Sequence, residues 1–273
     1  SALAMNRTLS DWQKKPELLR QKIRAGQWTG STSGLCPGFA QANLAILPEQ
    51  EAHDFSRFCQ RNPKPCPVLE KTSPGDPFLK QLSKNADLRS DLPAYRIFKY
   101  GEFFKEVNNI GPWWRDDLVG FLLGCSYSFD AILVQAGFEL DHVKHQREPG
   151  IYTTNLQTRA AGQFKGPLVV STRFVPDSRV DEVVRITSRY EKNHGAPIHV
   201  GDPAAIGIAD LTVSEYGGCG AQPQDGETPV FWACGVTPQA VALACKAPFM
   251  ITHKPGHMFV SDLTVAQIAD DGQ

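Results

Sequence analysis

The chain has almost no net charge: 28 Lys plus Arg stand against 29 Asp plus Glu, a formal balance of -1 over 273 residues. It lacks the basic footprint that a phosphate backbone demands, so nucleic acid is not an expected partner. It also lacks any apolar run approaching the ~20 residues that cross a bilayer, so no membrane partner is expected. The first residues, Ser1-Ala2-Leu3-Ala4-Met5-Asn6-Arg7, show no charged region followed by an apolar stretch. No export signal is read there, and a cytoplasmic location is expected. Seven cysteines stand at positions 36, 59, 66, 125, 219, 234 and 245, an odd number with no CxxC pair. Free, reduced thiols are the natural reading. Cys125, Cys219 and Cys234, in glycine-rich surroundings, stay open to a chemical role. No internal repeat and no low-complexity tract is read.

What is present is ordinary globular material. Apolar residues make up 41% and charged residues 21%, which argues against disorder. A chain this long hides roughly 70–75% of its unfolded surface, enough for a sizeable core. Trp12, Leu19 and Ile23 recur at helical spacing and Gly26 closes that helix; a loop of small residues follows at 28–38. A helix is predicted at 48–60, a short strand at 66–70, and a surface excursion at 71–93, where proline and glycine recur among polar residues. Segments 95–100 and 103–107 form a predicted hairpin, and helices are predicted at 113–123 and 128–136. A strand at 167–175, a helix at 177–191 and a strand at 197–200 make a β-α-β unit, read as the heart of an inserted α+β layer over 140–196. Strands at 229–233 and 249–252 flank a helix at 238–246, a pattern that implies a parallel pair. The reading is an α/β fold, with 1–139 and 197–273 sharing the main domain.

Ligands of open α/β sheets gather at the carboxyl ends of strands, where helix starts supply free N–H groups and a positive dipole end. Cys234-Gly235-Val236-Thr237-Pro238-Gln239 is such a place, with Thr237 as a cap before Pro238. Gly124-Cys125-Ser126-Tyr127-Ser128 precedes another helix, Thr32-Ser33-Gly34 leads towards Asn43, and His199-Val200-Gly201-Asp202 ends a strand. Each alone is common punctuation; together they suggest a pocket for a carboxylate. Cys234 reads either as a nucleophile beside a helix start or as buried, inert sulfur. His199 reads either as a general base or as a satisfied core histidine. His253 and His257 stand four apart, but Pro255-Gly256 between them forbids the helical HExxH arrangement. No metal ligand set is assigned, although a loop that gathered both histidines would leave room for a divalent metal.

Asn193–Ile208 (NHGAPIHVGDPAAIGI), Pro229–Val241 (PVFWACGVTPQAV) and Met250–Val260 (MITHKPGHMFV) resemble the signature blocks of a hydro-lyase family described as D-glutamate cyclase-like. GSTSGLCPGFAQAN at 30–43, FCQRNPKPCPVL at 58–69 and FKGPLVVS at 164–171 agree, so the resemblance spans about 28–263. It implies a three-layer α/β/α domain with an inserted smaller two-layer α+β domain. It also implies loss of water from a small acid, as in closing D-glutamate to 5-oxo-D-proline. Such a reaction needs a pinned carboxylate, an unprotonated amine and an acid for the departing hydroxyl. His199 and His257 are the candidate base and acid, Asp202 their candidate orienter and Cys234 a further catalytic candidate. Thr32, Ser33, Asn43, Cys125, Ser126, Tyr127, Gly235, Thr237 and Gln239 are the candidate substrate contacts. The rival readings are dehydration of another small hydroxy acid and simple binding of an amino acid or carboxylate. A homo-oligomer is left open. His199, Asp202, Thr237 and His257 are expected to share one pocket.

Overall fold

The computed structural model describes residues 8–145, 147–218 and 220–270; Cys219 lies outside them. The first helical stretch breaks at Lys15, because Pro16 starts a new helix, giving α1 (Asp11–Lys14) and α2 (Pro16–Arg24). Leu19 and Ile23 are buried as their spacing requires, and Gly26 ends the run at φ +70°. There follow β1 (Phe39–Pro48), α3 (Glu49–Arg61), β2 (Val68–Lys71), β3 (Tyr95–Lys99), β4 (Glu102–Val107), β5 (Leu118–Gly124), α4 (Tyr127–Gln135), α5 (Asp141–Lys144) and β6 (Ile151–Gln157). The remainder is β7 (Pro167–Pro176), α6 (Val180–Thr187), β8 (His199–Val200), β9 (Glu227–Ala233), α7 (Val236–Ala244), β10 (Phe249–His253), β11 (Phe259–Thr264) and α8 (Val265–Asp270).

The strands form two sheets. One runs β2-β5-β1-β10-β3-β4, with β11 also against β1; the other runs β6-β7-β9-β8. Every pairing among the described residues is antiparallel. The parallel pair expected around α7 is therefore absent: β9 and β10 belong to different sheets. A strand-helix-strand pattern fixes the crossover but not the sheet that the second strand joins. The second sheet also takes strands from both sides of residue 197.

Two further expectations need correction. The segment predicted as a helix at 113–123 is mostly β5, buried along its whole length. A fully buried strand is a continuous apolar run, with no alternation to separate it from a buried helix. The excursion at 71–93 is not a surface feature: Leu79, Leu82, Leu88 and Leu92 lie in the core of the first sheet. Glu70 organises it, its carboxylate accepting backbone N–H bonds from Lys80 at 2.6 Å and Leu82 at 2.9 Å. The expected hairpin is present, its turn made by Tyr100 and Gly101 at positive φ.

The molecule is internally duplicated, contrary to the absence of repeats in the sequence reading. β1 pairs with β5 from Ala42↔Gly124 to Pro48↔Leu118, and β7 pairs with β9 from Val170↔Ala233 to Pro176↔Glu227. The second ladder repeats the first step for step. β5 and β9 each have seven residues, each is followed by two linking residues, and α4 and α7 each have nine. An equivalent hydrogen bond recurs as well: Ser128 Oγ accepts from Gln41 N at 3.1 Å, and Thr237 Oγ1 accepts from Val169 N at 3.0 Å. Each half also lends a strand to the other. β6 follows α4 and pairs with β7 at Tyr152↔Val170; β11 follows α7 and pairs with β1 at Phe259↔Ala42.

Candidate active site

The duplication places two alike strand-to-helix turns in the molecule: Gly124-Cys125-Ser126 into α4, and Ala233-Cys234-Gly235 into α7. Ser126 and Gly235 already have helical backbone angles, and neither supplies a side-chain cap to the N–H groups that follow. The Tyr127 N–H faces the Cys125 sulfur, and the Val236 N–H faces the Cys234 sulfur. Asn43 joins the two turns. Its Nδ2 donates to the Gly124 carbonyl at 2.9 Å, and a β-carbon on Gly235 would overlap the same amide. Glycine at 235 is thus what lets the second turn approach the first sheet.

Beside them lies a buried ionic network. Arg173 Nε donates to Asp130 Oδ1 at 3.0 Å, and its Nη2 donates to Asp130 Oδ2 at 3.0 Å and Ser126 Oγ at 2.9 Å. Its Nη1 donates to Ser171 Oγ at 2.7 Å, and the guanidinium stacks near Phe129 and Trp232. His142 Nε2 lies 2.8 Å from Asp130 Oδ2. Burial pushes the Asp130 carboxyl up, but Arg173 and His142 outweigh it and hold it at about 2. The network locks the Ser126 turn, the start of α4 and the middle of β7 into one unit.

The groups free for acid–base work sit across from it. Glu148 is half-buried, and burial pushes its carboxyl up despite Arg96 and Lys254 nearby. Its oxygens reach the backbone of Gly256 and Gly217, and its charge acts on Tyr127 and the Cys234 sulfur. Glu148 and Arg173 also line a cavity of about 370 Å³ with His142, Arg147 and Thr172. That is near the lower end for small-molecule pockets. His257 places its Nδ1 2.9 Å from the Pro255 carbonyl, and burial lowers its pKa. Thr32 and Ser31 hold that turn: Met258 N donates to Thr32 Oγ1 at 3.0 Å, and Ser31 Oγ donates to the Gly256 carbonyl at 3.0 Å.

The predicted residues divide accordingly. Asn43, Cys125, Ser126, Tyr127, Cys234 and Gly235 come together at the paired turns; Thr32 and the half-buried Ser33 shape the loop under His257. Gln239 points its amide at His253 Nδ1, 3.1 Å away. Thr237 is not the cap expected of it: the helix begins one residue earlier, and its buried hydroxyl is engaged by Val169. His199 and Asp202 form their own local pair. His199 Nε2 donates to the Asp202 carbonyl at 2.7 Å, and Asp202 Oδ1 caps Ala204 N at 2.9 Å. Among the described residues, no hydrogen bond or ion pair joins that pair to Thr237 or His257. Nor do the described residues contain a group of three or more His, Cys, Asp or Glu placed to hold a metal ion. The sequence reading missed Arg173, Asp130, His142 and Glu148. The one available signal was a charged residue, Arg173, inside an otherwise uncharged strand.

The two matched turns meet at Asn43 in an α/β protein built on two sheets, and Arg173 links their surroundings to a nearby polar cavity. Comparison with known proteins gives the family. Residues 119–262 match the family model described as D-glutamate cyclase. A protein of Rubrobacter xylanophilus named "Putative hydro-lyase" is 52% identical over 89% of this chain and 93% of its own. Proteins of the same name from a Thermoanaerobacter species and from Stutzerimonas stutzeri are 50% and 48% identical, each over 93% of this chain and at least 95% of theirs. The chain belongs to the D-glutamate cyclase family, a family of lyases. Among solved structures, a nitrogen repressor-like protein from Methanococcus jannaschii matches at 10% identity and a TM-score of 0.38, over 90% of this chain and 98% of that one. No described helix is long and apolar enough to cross a membrane.

Proposed function

We propose that the chain is a cytoplasmic hydro-lyase that removes water from a small amino acid, closing D-glutamate to 5-oxo-D-proline. The observation that carries this reading is the meeting of two uncapped helix starts at Asn43, beside a carboxyl that burial keeps protonatable. The α-carboxylate of the substrate is held by the free N–H groups of one helix start, where the dipole favours negative charge. His257, kept neutral by its burial, takes the proton from the ammonium group. The freed amine attacks the side-chain carboxyl carbon and forms the ring C–N bond. Glu148 protonates the side-chain carboxylate, takes the second N–H proton once the ring has closed and delivers it to the departing hydroxyl, so the C–O bond breaks and water leaves; the protonated His257 then returns its proton to Glu148. Pinning both ends of the chain removes entropy that the ring closure otherwise loses. The test is turnover by the purified protein of D- and L-glutamate and of small hydroxy acids, with and without divalent metal. Formation of 5-oxoproline from D-glutamate supports the reading; dehydration of a hydroxy acid alone replaces its substrate.

A further inference from the structure

Water loss as derived above leaves Cys125 and Cys234 unused, yet the fold treats them as a pair. They occupy the same position in the two halves, each at the end of a seven-residue strand and ahead of a nine-residue helix. Asn43 binds the carbonyl of the residue before one and packs against the residue after the other. The repeat makes the two turns equivalent, and both thiols are free. Their surroundings match too. Each sulfur faces the N–H two residues further on, and each feels Arg173. The charge of Cys234 also acts on Cys125.

Two like acids on opposite sides of one carbon are what inversion of that carbon requires. One removes a proton from one face, and the other returns a proton to the opposite face. We propose that Cys125 and Cys234 are such a pair, and that this site inverts the α-carbon of the amino acid it dehydrates. The inference rests on the amino-acid reading above. The step balances within the site. One thiolate takes the α-proton, the C–H electron pair passes into the carboxylate, and the carboxylate oxygens face the helix-start N–H groups. The opposite thiol then protonates the other face and is left as the thiolate. No oxidant or reductant enters, and the reverse reaction uses the same groups with their roles exchanged. Burial pushes the Cys125 thiol up to about 12 and the Cys234 thiol up to about 11, so both rest as thiols and only the small ionised fraction of either carries the base. Strongly basic thiolates suit so weak a carbon acid, and Arg173 offers either one the same counter-charge.

The experiment incubates the protein in D2O with D-glutamate, L-glutamate and 5-oxo-D-proline, following the α-proton by NMR and ligand binding by calorimetry. With the unaltered protein, α-deuterium enters both enantiomers of at least one ligand and the enantiomers interconvert. Cys125→Ser and Cys234→Ser each abolish interconversion. Each keeps exchange with the enantiomer whose proton faces the surviving thiol and loses it, by 10²-fold or more, with the other. A merely structural role for the cysteines would slow both enantiomers alike and would overturn the proposal. Water loss from D-glutamate without α-exchange overturns the inversion but leaves the hydro-lyase reading intact. Absence of both binding and turnover for every ligand removes the amino-acid reading and the inversion with it.

Discussion

Asn43 and Gly235 are locked together: the side-chain amide of one fills the space that a β-carbon on the other would need. The same amide is tied to the Gly124 carbonyl, so it cannot swing away without losing a buried hydrogen bond. Gly235→Ala is therefore expected to push the α7 turn off the first sheet, at a cost of about 1–3 kcal/mol from overpacking. Turnover should fall by at least tenfold, because the two helix starts no longer share one site. The pairing of Gly235→Ala with Asn43→Ala, which opens the space, should recover more stability than activity. Urea denaturation alongside kinetics checks both halves of this expectation.

Arg173 and Asp130 are both buried, and each is the other's main partner. Arg173→Met leaves Asp130 as a buried carboxylate supported only by His142, a loss of about 3–5 kcal/mol. Removing both charges, as Arg173→Met with Asp130→Leu, should cost much less than the sum of the single changes. A double-mutant cycle by urea unfolding measures the difference; additive losses would show that the pair does not act as a unit.

Acid should unfold the protein earlier than its carboxylates alone would dictate. Burial depresses the folded-state pKa of both His194 and His253 to about 4. For His253 the geometry agrees: its Nδ1 accepts the Leu44 N–H at 3.0 Å, so a proton there would meet another donor. Both groups gain a proton on unfolding at any pH between about 4 and the unfolded value near 6.5. Stability is full above that range and falls as pH drops through it, by up to roughly 3 kcal/mol for each histidine. Asp130, held at about 2, adds a further loss only below about pH 4. Urea midpoints from pH 7.5 to 4.5 should decline steadily, and His253→Asn should flatten the decline. A flat profile in the unaltered protein would contradict the buried, neutral assignment.

His199 hydrogen-bonds its own loop, whereas His257 sits on the turn that faces Glu148 through Gly256. His199→Ala should change turnover by less than about threefold, while His257→Asn should lower it 10²–10⁴-fold. The reverse ranking would return the base to β8 and detach it from the paired turns.

Much of this was legible in the sequence where local chemistry decides. Pro48 and Asn62 bound α3, Gly101 marks the hairpin, and the turn at Cys234-Gly235 announces α7. β5 was not legible, because a strand buried on both faces carries no alternation. The duplication was hidden for a different reason. It is kept in ladder register and element length, while side chains differ at matched positions: Ala45 stands where Arg173 does, and Asp130 where Gln239 does. The ionic network was illegible because Arg173 and Asp130 lie 43 positions apart and meet only across the sheet–helix junction.

The most direct test of the site is the rate at which D-glutamate becomes 5-oxo-D-proline, compared between the unaltered protein and Glu148→Gln. Glutamine keeps the shape and removes the proton that the leaving hydroxyl needs, so turnover should fall 10²–10⁴-fold with binding nearly unchanged. A Glu148→Gln protein as fast as the unaltered one would place the chemistry away from the paired turns. An unaltered protein inert towards D-glutamate would contradict the substrate itself.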